Sequence, residues 1–245
     1  MGGSRRRGPS TGHLFRTLLS ASAIARHRRR ALVITGVGDV FSAGADLNWM
    51  SAITVGDYDD QVADSERLDD LFHAIHSFPA PVLARINGHA LAGALGLVAC
   101  ADIAVAVRGA KFGFTEAKLG LALAVISPCV QPKIGLSNAL RYFLSGEVFD
   151  ADRALDICLI HEVCERERLD ATMERVVNDL LAGGPRAQRK IKELIRKVEN
   201  TRTLVEARQL TVSTIAQLRM SDEGQSGMKA FLRQQPMPST KHIEE

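Results

Sequence analysis

Two clusters of very small residues, Ser42-Ala43-Gly44-Ala45-Asp46 and Leu91-Ala92-Gly93-Ala94-Leu95-Gly96, stand downstream of short apolar runs. If each cluster lies where a strand gives way to a helix, its first backbone N–H groups have no partner within the helix. Small side chains let a ligand atom come close to them. Two such junctions facing one another could aim two N–H donors at one oxygen, the arrangement that stabilises an oxyanion. Tight turns and close helix packing use the same residue types, so spacing alone leaves both readings open. Glu116 lies between Phe112-Gly113-Phe114 and Leu119-Gly120-Leu121. A carboxyl among such groups has a raised pKa and can exchange protons near neutrality, whereas at an open strand end it simply faces water. His89 borders the second cluster and reads better as a satisfied core histidine than as a catalytic one.

The elements that must carry these residues follow from periodicity. Ala31 to Thr35 is an apolar run of strand length, closed by Gly36 and Gly38. Leu68, Leu71, Phe72, Ile75 and Phe78 form a helical stripe that Pro79 and Pro81 end. Val82 to Ile86 is a second strand, closed by Asn87-Gly88, and residues 89–100 are small and apolar enough for a buried helix. Strands are expected at Ile103–Val107 and at Lys111–Thr115, with Ser127-Pro128 as a helix N-cap followed by proline at the first position. Helices are expected near 137–145 and 150–157, and a short strand near 159–164. From Arg166 the chain reads as helix, broken at Gly183-Gly184-Pro185, near Asn200 and near Ser221. Upstream, residues 1–13 read as a flexible basic head, and Leu14, Leu18, Leu19 and Ile24 give a helix that leads into the first strand.

Composition narrows the classes of function. The chain has 245 residues, 46% hydrophobic and 24% charged, which is ordinary for a globular protein and excludes a disordered or collagen-like chain. No run of 18 apolar residues occurs, so no spanning helix is expected. Cys100, Cys129, Cys158 and Cys164 are scattered without a CxxC and read as reduced thiols of a cytoplasmic protein. There is no His/Cys/Asp set at metal-ligand spacing, no GxSxG, no phosphate loop and no GxGxxG opening a helix after a strand. Residues 1–30 hold eight arginines and no acid; taking these from the 31 basic residues leaves 23 against 28 acidic ones. The body is therefore mildly acidic, and neither nucleic acid nor membrane is expected as its partner. An acid-free, arginine- and serine-rich start also has the composition of an organellar transit peptide, which keeps the mitochondrial matrix as the alternative location.

Taken together, these motifs resemble the enoyl-CoA hydratase/isomerase (crotonase) superfamily. FSAGADL at 41–47 resembles its first oxyanion loop, and PVLARINGHALAGALGLVACADIAVA at 81–106 its second. KFGFTEAKLGL at 111–121 resembles the strand and loop that carry its catalytic glutamate, and GMKAF at 227–231 its C-terminal helix. The likeness runs from about Leu14 to Pro236. GLALAVISPCV at 120–130 is most similar to bacterial methylglutaconyl-CoA hydratases.

The resemblance implies an α/β fold: a ClpP-like spiral of ββα turns over residues 14–180, with two roughly perpendicular sheets, and a helical trimerisation region over 181–245. It implies that the backbone N–H groups of Ala45 and Gly93 hold the thioester oxygen and that Glu116 is the acid/base. Ser42, Ala43, Asp46, Leu47 and Asn48, with Ala45 and Gly93, would line the substrate path. No cofactor is implied, since the CoA thioester is itself the substrate. The partners implied are the acyl-CoA and further copies of the chain, as a trimer or a dimer of trimers.

Three departures bear on the chemistry. Gly96 stands where two-glutamate hydratases carry their second carboxylate, so a Δ3,Δ2-enoyl-CoA isomerase working with one glutamate is the first alternative. Ala92 and Ala94 flank Gly93 where the family has glycines. The head at 1–13 stands in place of the family's N-terminal strands, which leaves an exposed sheet edge to be expected and keeps a non-catalytic acyl-CoA- or RNA-binding relative as the alternative of another class.

Overall fold

The computed structural model describes residues 30–44 and 56–238. The helix expected over 14–27, the basic head, and Ala45, Asp46, Leu47 and Asn48 lie outside the described residues.

Two compact units are distinguished. The first comprises Val33–Phe78 and Val82–Met173 among the described residues and holds all the β-structure but the first residue of its first strand. Strands β1 (Leu32–Thr35), β2 (Val82–Ile86), β4 (Ile103–Val107) and β7 (Glu162–Cys164) form a sheet in the order β1-β2-β4-β7. β2 and β4 are parallel, with Leu83 opposite Ile103, and β4 and β7 are parallel, with Val105 opposite Glu162. β2 and β4 are nearly wholly buried, which explains their apolar sequences, interrupted only by the half-buried Arg85 of β2. β1, by contrast, is an edge among the described residues: Val33 and Thr35 are exposed while Ile34 is buried.

A second sheet has the order β3-β5-β6, from Ala90–Leu91, Lys111–Gly113 and Val148–Asp150. β3 and β5 run parallel, with Ala90 opposite Phe112 and Leu91 opposite Gly113; β6 returns antiparallel to β5. Phe112, Phe114, Tyr142 and Phe149 are buried together. Tyr142 and Phe149 have ring centroids 4.4 Å apart, and Phe114 packs edge-on to Phe143 at 5.0 Å. Each such ring contributes about 1.5–3 kcal/mol by leaving water.

Helices of this unit follow from their ends and apolar faces. α1 (Tyr58–His76) begins with a capping box in which the Asp60 N–H donates to Asp57 at 3.0 Å and the Asp57 N–H donates to Asp60 at 3.3 Å. It buries Leu71, Phe72 and Ile75. α2 (Ala94–Cys100) is buried along its whole length. The expected helix over 89–100 is thus shorter than its composition implied: Ala90–Leu91 is spent on the second sheet and Ala92–Gly93 on a turn, because small apolar residues suit a strand and a helix equally. α3 (Ser127–Ser145) has Ile126, not Ser127, at its N-cap, so Ser127 is its first helical residue and its hydroxyl donates to Ala124 O at 2.8 Å rather than capping. Gly135, with φ +72°, kinks this helix, so residues 127–134 and 136–145 are separate helical arms. α4 (Ala151–Asp156) is capped by Asp150, which accepts from the Arg153 N–H at 2.9 Å.

The second unit comprises residues 30–32, Pro79–Pro81 and the chain from Glu174 onward. α5 (Leu169–Leu181) leads into it. α6 (Pro185–Glu199), α7 (Leu204–Met220) and α8 (Asp222–Leu232) pack as a helical group, with breaks where Gly184-Pro185, Asn200 and Ser221 lie. Glu223 of α8 caps α6 by accepting from the Arg186 and Ala187 N–H groups at 2.9 and 2.8 Å. As described, the chain is α/β with a helical C-terminal region, as the sequence predicts.

Candidate active site

Three chain segments run side by side in the first unit and end at the same edge. Ser42 forms a parallel bridge with Ala90, and Ala90–Leu91 pairs in parallel with Phe112–Gly113. Neighbouring strands lie about 4.8 Å apart. The residues that follow the three segments therefore emerge together: Ala43-Gly44 from the first, Ala92-Gly93 from the second, and Thr115-Glu116 from the third. This pairing brings the described part of the first Gly/Ala cluster, Ser42-Ala43-Gly44, together with the second cluster and Glu116 at one end of one sheet.

The first two loops touch. A Cβ on Gly44 would lie 3.1 Å from Ala92 Cβ and 3.3 Å from Leu91 O, and Gly44 has φ +96°. Both conditions call for glycine. Ser42 is half-buried, its hydroxyl accepting from the Gly44 N–H at 3.3 Å, while Ala43 is exposed. Ala92 has φ +52°, an uncommon conformation for a residue with a side chain. Its N–H is spent on Gly113 O at 2.8 Å, which ties the second loop to β5. Among the described residues, the N–H of Gly93 makes no hydrogen bond. A Cβ on Gly93 would meet nothing within 4 Å, so open space lies beside it.

Glu116 opens a short 3₁₀ turn, Glu116–Leu119, directly after β5 and Phe114. Its backbone carbonyl accepts from the Leu121 N–H at 3.1 Å, which closes the loop 116–121 on itself. The side chain is half-buried, and its buried Oε2 has no hydrogen-bond partner among the described residues. Burial raises its pKa, only partly offset by a hydrogen bond to its own backbone. A carboxylic acid in this state gives up its proton less readily than one in water, which brings it closer to the range useful for proton transfer.

His89 departs from expectation: it is exposed rather than a core histidine. Its Nδ1 accepts from the Lys111 N–H at 3.0 Å, so the ring braces the start of β5 and has no part in a constellation with Glu116. At Gly96 the structure adds something the sequence did not show. A Cβ there would lie 2.5–2.6 Å from the Phe72 ring and from Ile126 Cγ2, so the position is closed by core side chains. Sequence reasoning also passed over Asn87, taken only as the end of a strand. It is buried, and its side chain is hydrogen-bonded to the loop before Phe41. A buried carboxamide beside a Gly is a signal for such a bracket. Among the described residues no cluster of three potential metal ligands is found.

Comparison with known proteins fits this geometry. The model of the family described as enoyl-CoA hydratase/isomerase matches residues 17–241. Enoyl-CoA hydratase AKT6-1 of Alternaria alternata is 31% identical over 90% of this chain and 70% of its own length. Trans-2-decenoyl-acyl-carrier-protein isomerase of Streptococcus mutans is 28% identical over 67% of this chain and 63% of its own. The crystal structure of an enoyl-CoA hydratase from Shewanella pealeana superposes with a TM-score of 0.87 at 34% identity, covering 92% of this chain and 85% of the other.

Proposed function

The chain belongs to the enoyl-CoA hydratase/isomerase family, and from that premise we propose that it adds water reversibly across the 2,3 double bond of an enoyl-CoA thioester. The observation that carries this reading is the Glu116 carboxyl, with one oxygen buried, at the sheet end where the Gly93 N–H lies; among the described residues neither that oxygen nor that N–H has a hydrogen-bond partner. The thioester oxygen would take the N–H of Gly93 and that of Ala45. As negative charge grows on this oxygen, each donor is worth about 10²–10³ in rate. Glu116, ionised, takes a proton from water as the water oxygen bonds to C3. The electron pair of the double bond moves through C2 to the thioester oxygen, giving an enolate. The protonated Glu116 then delivers its proton to C2, which makes the addition syn. The thioester does the work of an electron sink, so the reaction calls on no metal or redox cofactor.

The second reading is Δ3,Δ2-enoyl-CoA isomerase. It is favoured by Gly96, which leaves Glu116 without a companion carboxylate at that position and is closed off by Phe72 and Ile126. In that reaction one carboxylate takes a proton from C2 and returns it to C4, or the reverse. Hydration stays first because Glu116 alone can serve both proton transfers. The loop AVISP at 124–128 favours 3-methylglutaconyl-CoA, an intermediate type met in leucine degradation, as the substrate. A homotrimer or dimer of trimers is proposed as the working assembly.

Purified protein assayed with crotonyl-CoA, 3-methylglutaconyl-CoA and a 3-enoyl-CoA tests these readings. Loss of the enoyl absorbance with formation of a 3-hydroxyacyl-CoA is the expected result. Product only from the 3-enoyl-CoA establishes the isomerase. Tight acyl-CoA binding with no turnover of any of the three establishes a non-catalytic relative.

A further inference from the structure

Asn87 is one of two buried polar side chains among the described core residues, 5% exposed. Its polar contacts go to a single stretch of chain. Oδ1 accepts from the Gly36 N–H at 3.0 Å and lies 3.4 Å from the Thr35 hydroxyl, which donates to Arg85 O at 2.9 Å. Nδ2 donates to Gly38 O at 2.7 Å and to Val40 O at 3.4 Å. Residues 36–40 have no regular structure of their own and are exposed apart from the half-buried Gly36, so this carboxamide supplies the hydrogen bonds that a strand or helix would otherwise provide.

The next residues continue the bracket. A Cβ on Gly88 would lie 1.9 Å from Asp39 O, so the two backbones are in direct contact. His89 O accepts from both the Phe41 and Ser42 N–H groups at 3.1 Å, and the Leu91 N–H donates to Ser42 O at 3.1 Å. Residues 87–91 thus hold 36–42 along their length, and two residues later the same stretch presents Gly93. The loop leading to Ala45 and the turn leading to Gly93 are both referenced to one short piece of chain.

We propose that Asn87 is a positioning residue: its carboxamide sets where residues 36–44 lie relative to the Gly93 N–H, and so sets the geometry in which a thioester oxygen is held. The proposal rests on the oxyanion reading given above. It assigns Asn87 no contact with substrate. Its effect is on rate more than on binding, because a misplacement of about 1 Å in such a site can cost about 10²-fold.

The test uses the full chain, Asn87→Ala and Asn87→Asp, with a 2-enoyl-CoA as probe. Turnover is measured together with the thioester carbonyl stretch of the bound probe by difference infrared spectroscopy. If the wild-type chain shows neither turnover nor a lowered stretch, the oxyanion reading fails and the proposal falls with it. Where the wild type shows both, Asn87→Ala, folded by circular dichroism at the assay temperature, should lose about 10–10²-fold in kcat. Its KM should stay within about threefold, and its carbonyl shift should shrink. Asn87→Asp separates positioning from simple weakening of the fold. With its new carboxyl ionised, that variant keeps the acceptor for Gly36 but cannot donate to Gly38; with the carboxyl protonated, it can do both. Its kcat relative to wild type at the same pH should therefore recover as pH falls, together with its carbonyl shift. A folded Asn87→Ala with wild-type kcat and wild-type carbonyl shift overturns the proposal. If Asn87→Ala does not fold, a pH-independent Asn87→Asp ratio near that of wild type overturns it instead.

Discussion

At the residue scale the chemistry turns on Glu116. Its carboxyl is pushed above the ordinary value of 4.5, first by burial. Glu116→Gln keeps the shape and cannot ionise, so kcat should fall by about 10²–10⁴ with acyl-CoA binding nearly unchanged. Hydration needs the ionised form to accept the proton of water. The acid limb of kcat/KM should therefore inflect above pH 4.5 in the wild type. The sign for stability runs the other way. Between the unfolded pKa and the raised folded pKa the native state binds more protons than the unfolded state, so wild-type stability falls as pH rises through that window. Thermal midpoints of wild type and Glu116→Gln should converge at low pH, and the variant should be the more stable above the window. Equal midpoints at every pH would place the carboxyl in water. Gly93 makes the complementary case. Its φ of −51° suits any residue and a Cβ there meets open space, so Gly93→Val should fold normally by circular dichroism. Turnover should drop by about 10² or more, as for loss of an oxyanion donor, because the added isopropyl group occupies the space beside the N–H. Unchanged turnover would remove Gly93 from the site.

At the scale of elements, Gly96 illustrates how packing constrains chemistry. Gly96→Ala places a methyl group 2.5–2.6 Å from the Phe72 ring and Ile126 Cγ2, all three residues being buried. Overpacking of this kind costs about 1–3 kcal/mol, to be read as a lowered denaturation midpoint. Pairing Gly96→Ala with Phe72→Leu should return part of the loss, since the clash is with the ring; no recovery would mean that the strain lies elsewhere. The sequence shows only that a carboxylate is missing at 96, not that the core fills its place, because Phe72 and Ile126 come from elements far apart in the chain. The strands over 82–86 and 103–107 are legible to the residue, since short, predominantly apolar runs suit a strand buried on both faces, even with Arg85 in the first. β6 is not. Val148–Asp150 is three residues long and is a strand only because β5 lies beside it. The two clusters and Glu116 are legible as types, but their convergence depends on the Ser42–Ala90 bridge and the β3–β5 pairing, which no local pattern encodes. The place of His89 escapes the sequence for the same reason: its ring is engaged by the Lys111 N–H, a partner 22 residues away.

At the scale of the whole molecule, the charge and apolar surface of the C-terminal helices set the expectation. On α6, Glu193 lies between Lys190 and Lys197, whose Nζ atoms donate to it at 2.8 and 2.6 Å and hold its pKa down to about 2. Their side chains are 37–55% exposed, so solvent screening leaves the pairs contributing little to stability, and salt weakens them further. Apolar residues are a different matter. Leu204, Met220, Phe231 and Leu232 are each at least 80% exposed within residues 204–232. Monomeric proteins rarely leave many large apolar side chains in water within so short a stretch, and such surfaces mark contacts with other proteins. Together with the assembly proposed above, this leads to a prediction about mass. Light scattering on the purified chain should give a multiple of 26.6 kDa, three or six copies. Phe231 and Leu232 end α8, whose buried residue is Ala230, so changing them leaves the internal packing of that helix untouched. Phe231→Asp combined with Leu232→Lys should shift the mass toward the monomer while circular dichroism stays unchanged. In the wild type the thermal midpoint should rise with protein concentration, because self-association stabilises the folded state by mass action, and in the double variant it should not. A wild-type chain that is monomeric at every concentration, with a concentration-independent midpoint, would overturn the assembly and leave the exposed side chains of α7 and α8 to be explained by a partner of another kind.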